Sequence, residues 1–171
     1  MQRRIDKRDA NGVEFGVDAY NMAKESGSAE LIFKACKALS QFYTDICSDF
    51  SNSIKTLESS IELLHDADNA EQKAEIYRLI GLNYDYLGEL LHSKNAYDNA
   101  IHLLLSTFEL SSFGKLTLAR SQFNLSIIYQ KLELASLSEV TLRSAFEQYK
   151  ELGDKHGIAR CYISFGVNAE A

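Results

Sequence analysis

The feature that most constrains the fold is a pair of amphipathic segments between Ala74 and Leu104. In the first, AEIYRLIGLNYDYLG, apolar and small residues recur at steps of three and four, which places them on one stripe of an α-helix. The second, ELLHSKNAYDNAIHLL, has the same periodicity. The two stripes consist of Tyr77, Ile80, Gly81, Tyr84, Ser93, Ala96, Tyr97, Ala100, Ile101 and Leu104. We therefore predict two closely packed helices joined near Gly88.

The same template recurs along the chain. We call helices that match the first segment first-type and those that match the second segment second-type. The predicted segments are an unpaired second-type helix over residues 12–26, helix pairs over 29–65, 69–109 and 116–152, and an unpaired first-type helix over 155–170. Residues 1–11 carry no apolar stripe, and we predict a poorly ordered or helical extension there. The fold prediction is all-α, one domain of about seven helices over residues 12–171. Such a chain looks like part of a longer array whose uncapped ends expose apolar surface.

The two end helices are assigned inward faces by alignment with the central pair. For the first helix, the alignment turns Phe15, Ala19, Tyr20 and Met22 inward. For the last helix, it turns Ala159, Tyr162, Phe165 and Gly166 inward. Tyrosines at one position of successive first-type helices (Tyr43, Tyr84 and Tyr129) are predicted to be core packing and not a platform for nucleic-acid bases.

The template resembles the tetratricopeptide repeat, a helix pair with aromatic and small residues at these offsets. Tyr43 and Tyr84 are 41 residues apart, and Tyr84 and Tyr129 are 45 apart. The consensus repeat has about 34 residues, so the chain is more similar to the long-period bacterial version, and the motif GDKHGIAR (153–160) looks typical of it. The resemblance implies a right-handed α-solenoid of antiparallel helix pairs that begins and ends in half repeats. It also implies a protein- or peptide-binding scaffold within a larger bacterial signalling or regulatory protein.

Composition restricts the classes of function. The formal net charge of −6 argues against general nucleic-acid binding. Cys36, Cys47 and Cys161 are an odd number without metal-ligand spacing, so we expect reduced, mostly buried thiols in the cytoplasm. No apolar run approaches about 18 residues, and the polar N-terminus is no signal peptide, so we expect neither a membrane span nor a leader.

The candidate ligand-binding surface is the concave groove that the resemblance places on the first-type helices. Residues off the core stripe there would face a ligand: Lys34, Lys37, Gln41, Arg78, Leu82, Arg120, Phe123, Asn124, Ile127, Arg160 and Ile163, with Val167 and Glu170 further along. Five of these residues are cations, and guanidinium groups bind carboxylates by paired hydrogen bonds. The predicted ligand is therefore an acidic or carboxylate-bearing peptide with apolar anchors. The alternatives are that the cations are solvated or paired with Glu75 and Asp85, and that the apolar residues pack against neighbouring helices.

The Lys-Asn-Arg pattern with which some tetratricopeptide domains clamp a peptide carboxylate is absent, because Asn83 and Asn124 lie at different offsets. Catalysis is not expected. None of the four histidines (His65, His92, His102 and His156) shares a helix face with other metal ligands, and no glycine-rich phosphate loop is present. His65, Asp66 and Asp68 are interpreted as a solvated turn. We predict no cofactor and no metal.

Two hypotheses from different classes remain. The first is a ligand-binding scaffold that uses the groove. The second is a structural or oligomerisation module, a homodimer that pairs through exposed ends of the array.

Overall fold

The computed structural model describes residues 7–64 and 69–169, and those residues form eight α-helices and no β-strand. The helices are α1 (Lys7–Ser26), α2 (Ala29–Phe42), α3 (Phe50–Leu63), α4 (Ala70–Tyr86), α5 (Leu90–Leu105), α6 (Ser112–Lys131), α7 (Ala135–Leu152) and α8 (Lys155–Ala169), with a π-helical turn over Tyr43–Cys47. The all-α prediction is confirmed; these eight helices are one more than the stated total of about seven and equal the number in the three predicted pairs and two single end helices. Two compact units are present, an N-terminal unit ending at Asn69 and a C-terminal unit beginning at Ala70. No helix among the described residues is long and apolar enough to cross a membrane.

Some predictions fall outside the described residues. The predicted extension over residues 1–11 is described only from Lys7, where α1 begins. His65, Asp66, Asp68 and Glu170 lie outside the described part, as does the side chain of Val167.

Helix boundaries follow from local chemistry. The Ser28 hydroxyl accepts a hydrogen bond from the Leu31 amide at 3.4 Å and so caps the start of α2. Gly88 and Gly153 have φ angles of 77° and 67°, in the left-handed region that glycine adopts without strain. These two glycines end α4 and α7 and let the chain reverse into the next helix.

In the N-terminal unit, hydroxyl groups tie three helices together. Ser40 on α2 and Ser53 on α3 are 2.7 Å apart, Oγ to Oγ, and both are buried. The Tyr20 hydroxyl of α1 lies 2.6 Å from the Ser60 hydroxyl of α3. Small residues also allow α1 to approach α2, since a Cβ at Gly16 would stand 2.8 Å from Leu39.

The C-terminal unit contains two helix hairpins built by the same contact. In the α4–α5 hairpin the Ser93 hydroxyl donates to the Gly81 carbonyl at 2.8 Å, and in the α6–α7 hairpin the Ser138 hydroxyl donates to the Ser126 carbonyl at 2.9 Å. A Cβ at Gly81 would lie 2.8 Å from the Tyr97 ring, so the glycine is required by close packing. Both hairpins therefore use a small residue where two helices meet.

The first helices of the two hairpins run side by side in the same direction. The Glu71 carboxylate accepts from the Ser111 amide at 2.7 Å near their starts, and Asp85 pairs with Lys131 near their ends. Helix α6 also contacts α8, which packs mainly on α7. The order α4, α6, α8 places side chains about 40 residues apart in sequence on neighbouring helices.

The predicted inward faces of the two end helices are wrong in part. On α1, Tyr20 is buried, but Phe15 and Met22 are 74% and 70% exposed, and Ala19 is exposed too. Among the described side chains of α1, Tyr20 and Ala23 are buried. The helix contacts α2 through the half-buried Gly12 and Gly16, so Phe15 and Met22 lie away from this contact. On α8, Phe165 is half-buried, whereas Ala159, Gly166 and Tyr162 are exposed and Gly157 and Cys161 are buried. An alignment by side-chain size fails where a helix packs through its small residues.

Candidate functional site

Helices α4, α6, α7 and α8 of the C-terminal unit line a pocket of about 370 Å³, which we call the arginine pocket. Five of the predicted ligand-binding residues line it: Arg78 and Leu82 on α4, Arg120 and Asn124 on α6, and Arg160 on α8. The first-type helices lie side by side, so residues far apart in sequence meet here. Tyr86, Tyr149, Asp154, His156 and Gly157 complete the lining.

Arg78 is held by a buried carboxylate. Its Nε and Nη2 donate to the two Glu75 oxygens at 2.7 and 2.9 Å, one turn earlier on α4. The Glu75 side chain is 1% exposed and that of Arg78 is 11% exposed. Burial opposes the arginine charge, but the hydrogen bonds and the charge of Glu75 outweigh it and raise the Arg78 pKa. For Arg78, the structure therefore shows the alternative in which the cation pairs with Glu75. Three of the five N–H donors of Arg78 are not used in this pair.

Arg160 is held by an aromatic ring. Its guanidinium carbon lies 4.2 Å from the centroid of Phe123, within the range of a cation–π contact. A guanidinium has five N–H donors, and contact with an aromatic ring leaves them available to other acceptors. Among the described residues, Arg160 has no ion pair with a carboxylate.

Phe123 and Ile127 were predicted to contact a ligand as apolar anchors, but both pack against neighbouring helices instead. Phe123 is 3% exposed and belongs to the core cluster of α6, α7 and α8, against which Ile127 also packs. Both residues lie on a helix with neighbours on two sides, so Phe123 is buried and Ile127 is half-buried. Phe123 contributes to the site as the ring beneath Arg160 and not as a ligand contact.

Arg120 and Asn124 differ in their surroundings, one turn apart on α6. Among the described residues, Arg120 has neither a hydrogen bond nor an ion pair, and it is half-buried. Asn124 lies within hydrogen-bonding range of the buried Tyr97 hydroxyl, which is also near Ser93. Of the three pocket arginines, Arg120 therefore has the fewest interactions with the described protein groups.

Tyr149 on α7 is a pocket residue that the sequence did not identify. Its side chain is 1% exposed, and its hydroxyl has no hydrogen-bond partner among the described residues. Burial raises the pKa of Tyr149 to about 12, against the opposing effect of the Arg160 and Arg120 charges, which act on the hydroxyl. A sequence signal was present, because the equivalent position carries Leu64 in one pair and Leu104 in another.

The start of α8 supplies the remaining wall. The Asp154 carboxylate accepts from the His156 and Gly157 amides at 3.0 and 3.1 Å, as helix caps do. A Cβ at Gly157 would lie 2.3 Å from the Tyr149 ring, so glycine is needed for the close approach. Three arginines and one aspartate among the lining residues give the pocket a formal charge of +2 with His156 neutral, in a chain of net charge −6.

Besides Phe123 and Ile127, four predicted residues do not line this pocket. Lys34, Lys37 and Gln41 lie on α2 in the N-terminal unit. Lys34 pairs with Glu30 at 2.5 Å on the exposed surface, and the Lys37 ammonium lies 5.8 Å from the Phe33 ring centroid. Ile163 is 69% exposed and lies on α8 outside the pocket. Among the described residues, no three His, Cys, Asp or Glu side chains are grouped to hold a metal ion.

Comparisons with known proteins add one finding about the fold. Neither a scan against protein-family models nor a search of curated proteins gives a match. Among solved structures, the crystal structure of BtubC (BKLC) from P. vanneervenii is similar, with a TM-score of 0.80 at 16% sequence identity. The similarity covers 95% of this chain and 66% of that one, so this chain spans just under two thirds of its length. At this identity the likeness shows a shared helical fold alone.

Proposed function

We propose that this chain is a non-catalytic, tetratricopeptide-like binding module, a right-handed α-solenoid that binds an acidic segment of a partner protein in the arginine pocket. The observation that carries the proposal is the presence of Arg78, Arg120 and Arg160, from three helices, in one pocket. Arginine binds carboxylates and other oxyanions through paired hydrogen bonds, and burial strengthens these bonds.

The pocket also offers apolar surface beside its cations. Leu82 and Tyr86 follow Arg78 along α4 and line the same pocket, and Tyr86 is 55% exposed. An acidic residue with an apolar neighbour matches this pairing of charge and apolar area. By the resemblance of its repeats, we place the module in a cytoplasmic bacterial regulator as a sensory or docking region.

The test is selection of peptides from a random display library on the intact 171-residue chain. We expect acidic peptides with apolar neighbours to be enriched, and we expect the double variant Arg120→Gln, Arg160→Gln to lose them. Arg143→Gln is the matched control, because Arg143 is 68% exposed on α7 and lies outside the pocket. Enrichment that survives the double substitution would refute the proposal. Arg78 is left unchanged, because replacing it would also remove the guanidinium that pairs with the buried Glu75 carboxylate.

A second candidate function rests on the exposed apolar faces of the end helices. Phe15 and Met22 on α1, and Tyr162 and Ile163 on α8, are 63% to 74% exposed. Such faces are typical of surfaces that pair with another subunit, so oligomerisation is the alternative. Light scattering after size exclusion tests it: a monomer at all concentrations contradicts it, and a dimer should dissociate on Phe15→Asp or Ile163→Asp.

A further inference from the structure

The Tyr149 hydroxyl distinguishes the arginine pocket from a chance cluster of surface arginines. It is a buried donor that has no hydrogen-bond partner among the described residues, and it lines the same pocket as three arginines. An unsatisfied buried hydroxyl destabilises a fold by roughly 1–3 kcal/mol, so such groups are usually paired. A ligand oxygen in the pocket would accept this hydrogen bond, since the neighbouring arginines offer only donors.

Two of the hydrogen-bond donors in the arginine pocket are preorganised by other residues of the chain. Arg78 is fixed by Glu75 and Arg160 by the ring of Phe123. Fixing these side chains in advance lowers the entropy that binding would otherwise cost. Arg120 and Tyr149 add donors from two further helices. The pocket is therefore lined by four hydrogen-bond donor groups from four helices, which one ligand could contact together.

The number of donors exceeds what one carboxylate satisfies, because each arginine can offer two parallel N–H groups and Tyr149 adds an O–H, whereas a carboxylate has about four lone-pair sites. A carboxylate has two oxygens and one negative charge, whereas a phosphate monoester has three strong acceptor oxygens and a charge of about −1.5 to −2 near neutral pH. The three arginines and Asp154 carry a formal charge of +2, which Glu75, paired with Arg78, lowers to +1, so it is the number of N–H and O–H donors that favours the phosphate. At about 370 Å³, the pocket lies near the small end of the ~300–1,000 Å³ range of ligand sites, a size suited to one side chain and its surroundings.

We propose that the arginine pocket recognises a phosphorylated side chain of a partner protein, with Arg78, Arg120, Arg160 and the Tyr149 hydroxyl donating to the phosphoryl oxygens. This inference rests on the proposed function and narrows its ligand from acidic segments in general to phosphorylated ones. Binding would then depend on a kinase and a phosphatase acting on the partner.

The test compares three sets of nine-residue peptides on the intact chain, measured by fluorescence anisotropy. The central residue is an equal mixture of phosphoserine, phosphothreonine and phosphotyrosine in the first set, of glutamate and aspartate in the second, and of the unmodified hydroxyl residues in the third. Inorganic phosphate serves as a competitor. We expect the phosphorylated set to bind at least about tenfold more tightly than the acidic set, because it forms additional charge-assisted hydrogen bonds.

Two variants separate ligand recognition from a structural role. Arg120→Gln should weaken binding of the phosphorylated set by about tenfold or more, since it removes a charged donor. Tyr149→Phe should weaken it about fivefold while leaving the melting temperature unchanged or raised, since the hydroxyl it removes has no hydrogen-bond partner in the described part of the chain. Tyr97→Phe, equally buried but with a hydroxyl near Asn124 and Ser93, is the matched control and should lower the melting temperature.

Each outcome decides between the two proposals. Equal affinity for the phosphorylated and acidic sets, with both dependent on Arg120, overturns the phosphate inference and leaves the proposed function standing. Binding of inorganic phosphate without binding of any peptide overturns both the phosphate inference and the proposed function, because the site would then bind a free anion and not a partner protein. Phosphopeptide binding that is unaffected by Arg120→Gln and Tyr149→Phe overturns the assignment of the pocket.

Discussion

The buried pair of Glu75 and Arg78 should make Arg78→Met one of the most destabilising single changes in the C-terminal unit. The substitution keeps the length of the side chain but removes the charge and both hydrogen bonds to Glu75. The Glu75 carboxylate, 1% exposed, would then lose its guanidinium partner and keep the Thr117 hydroxyl at 3.5 Å as a weak donor. An uncompensated buried charge is the physical cause of the expected loss.

The magnitude follows from the burial of the pair. Removing one partner of a buried ion pair costs about 3–5 kcal/mol. With a urea dependence of about 2 kcal/mol per M, this corresponds to a midpoint lower by about 1.5–2.5 M. The measurement is urea unfolding followed by circular dichroism. Hydrogen exchange of the α4 and α6 amides localises the effect to the C-terminal unit, because the chain has two units and a single transition is not assured.

Two controls make the prediction refutable. In the double variant Glu75→Leu, Arg78→Met no charge remains buried, so most of the stability should return. Arg143→Met breaks an exposed pair with Glu139, whose side chains are 68% and 54% exposed, and should cost about 0.5 kcal/mol or less. If Arg78→Met costs no more than Arg143→Met, the pair does not stabilise the fold as a buried pair should.

Further predictions concern packing, hydrogen bonding and pH. Gly157→Ala should destabilise by about 1–3 kcal/mol in thermal unfolding, because its Cβ would meet the Tyr149 ring at 2.3 Å; Gly166→Ala, with nothing within 4 Å, should be neutral or stabilising. Ser93→Ala should cost about 1 kcal/mol, since the buried hydroxyl donates to a carbonyl of α4. Burial raises the pKa of Cys161 to about 11, so the folded chain retains this proton longer than the unfolded chain does. Its contribution to stability should therefore be full below pH 8.5 and decline towards pH 11 in urea titrations, and a midpoint that rises over this range would contradict it.

Sequence periodicity determined the helices and the places where they approach closely. A recurrence of 3.6 residues requires a helix with one apolar side, and a glycine such as Gly81 facing Tyr97 follows from the need to bring two helices together. The 40-residue spacing of Arg120 and Arg160 likewise predicted that both would face the same side. These features depend on local repetition, which a single sequence displays.

Tertiary structure alone decided how individual side chains are used. Whether Phe123 is covered or exposed depends on α7 and α8, whose positions against α6 are not encoded in the stripe of α6. The outward turn of Phe15 has the same origin, because a helix that packs through glycines places its bulky residues elsewhere. The Tyr149 hydroxyl meets the arginines only when four helices come together. Periodicity specifies the side of a helix on which a residue lies, and the packing of the neighbouring helices determines what that side faces.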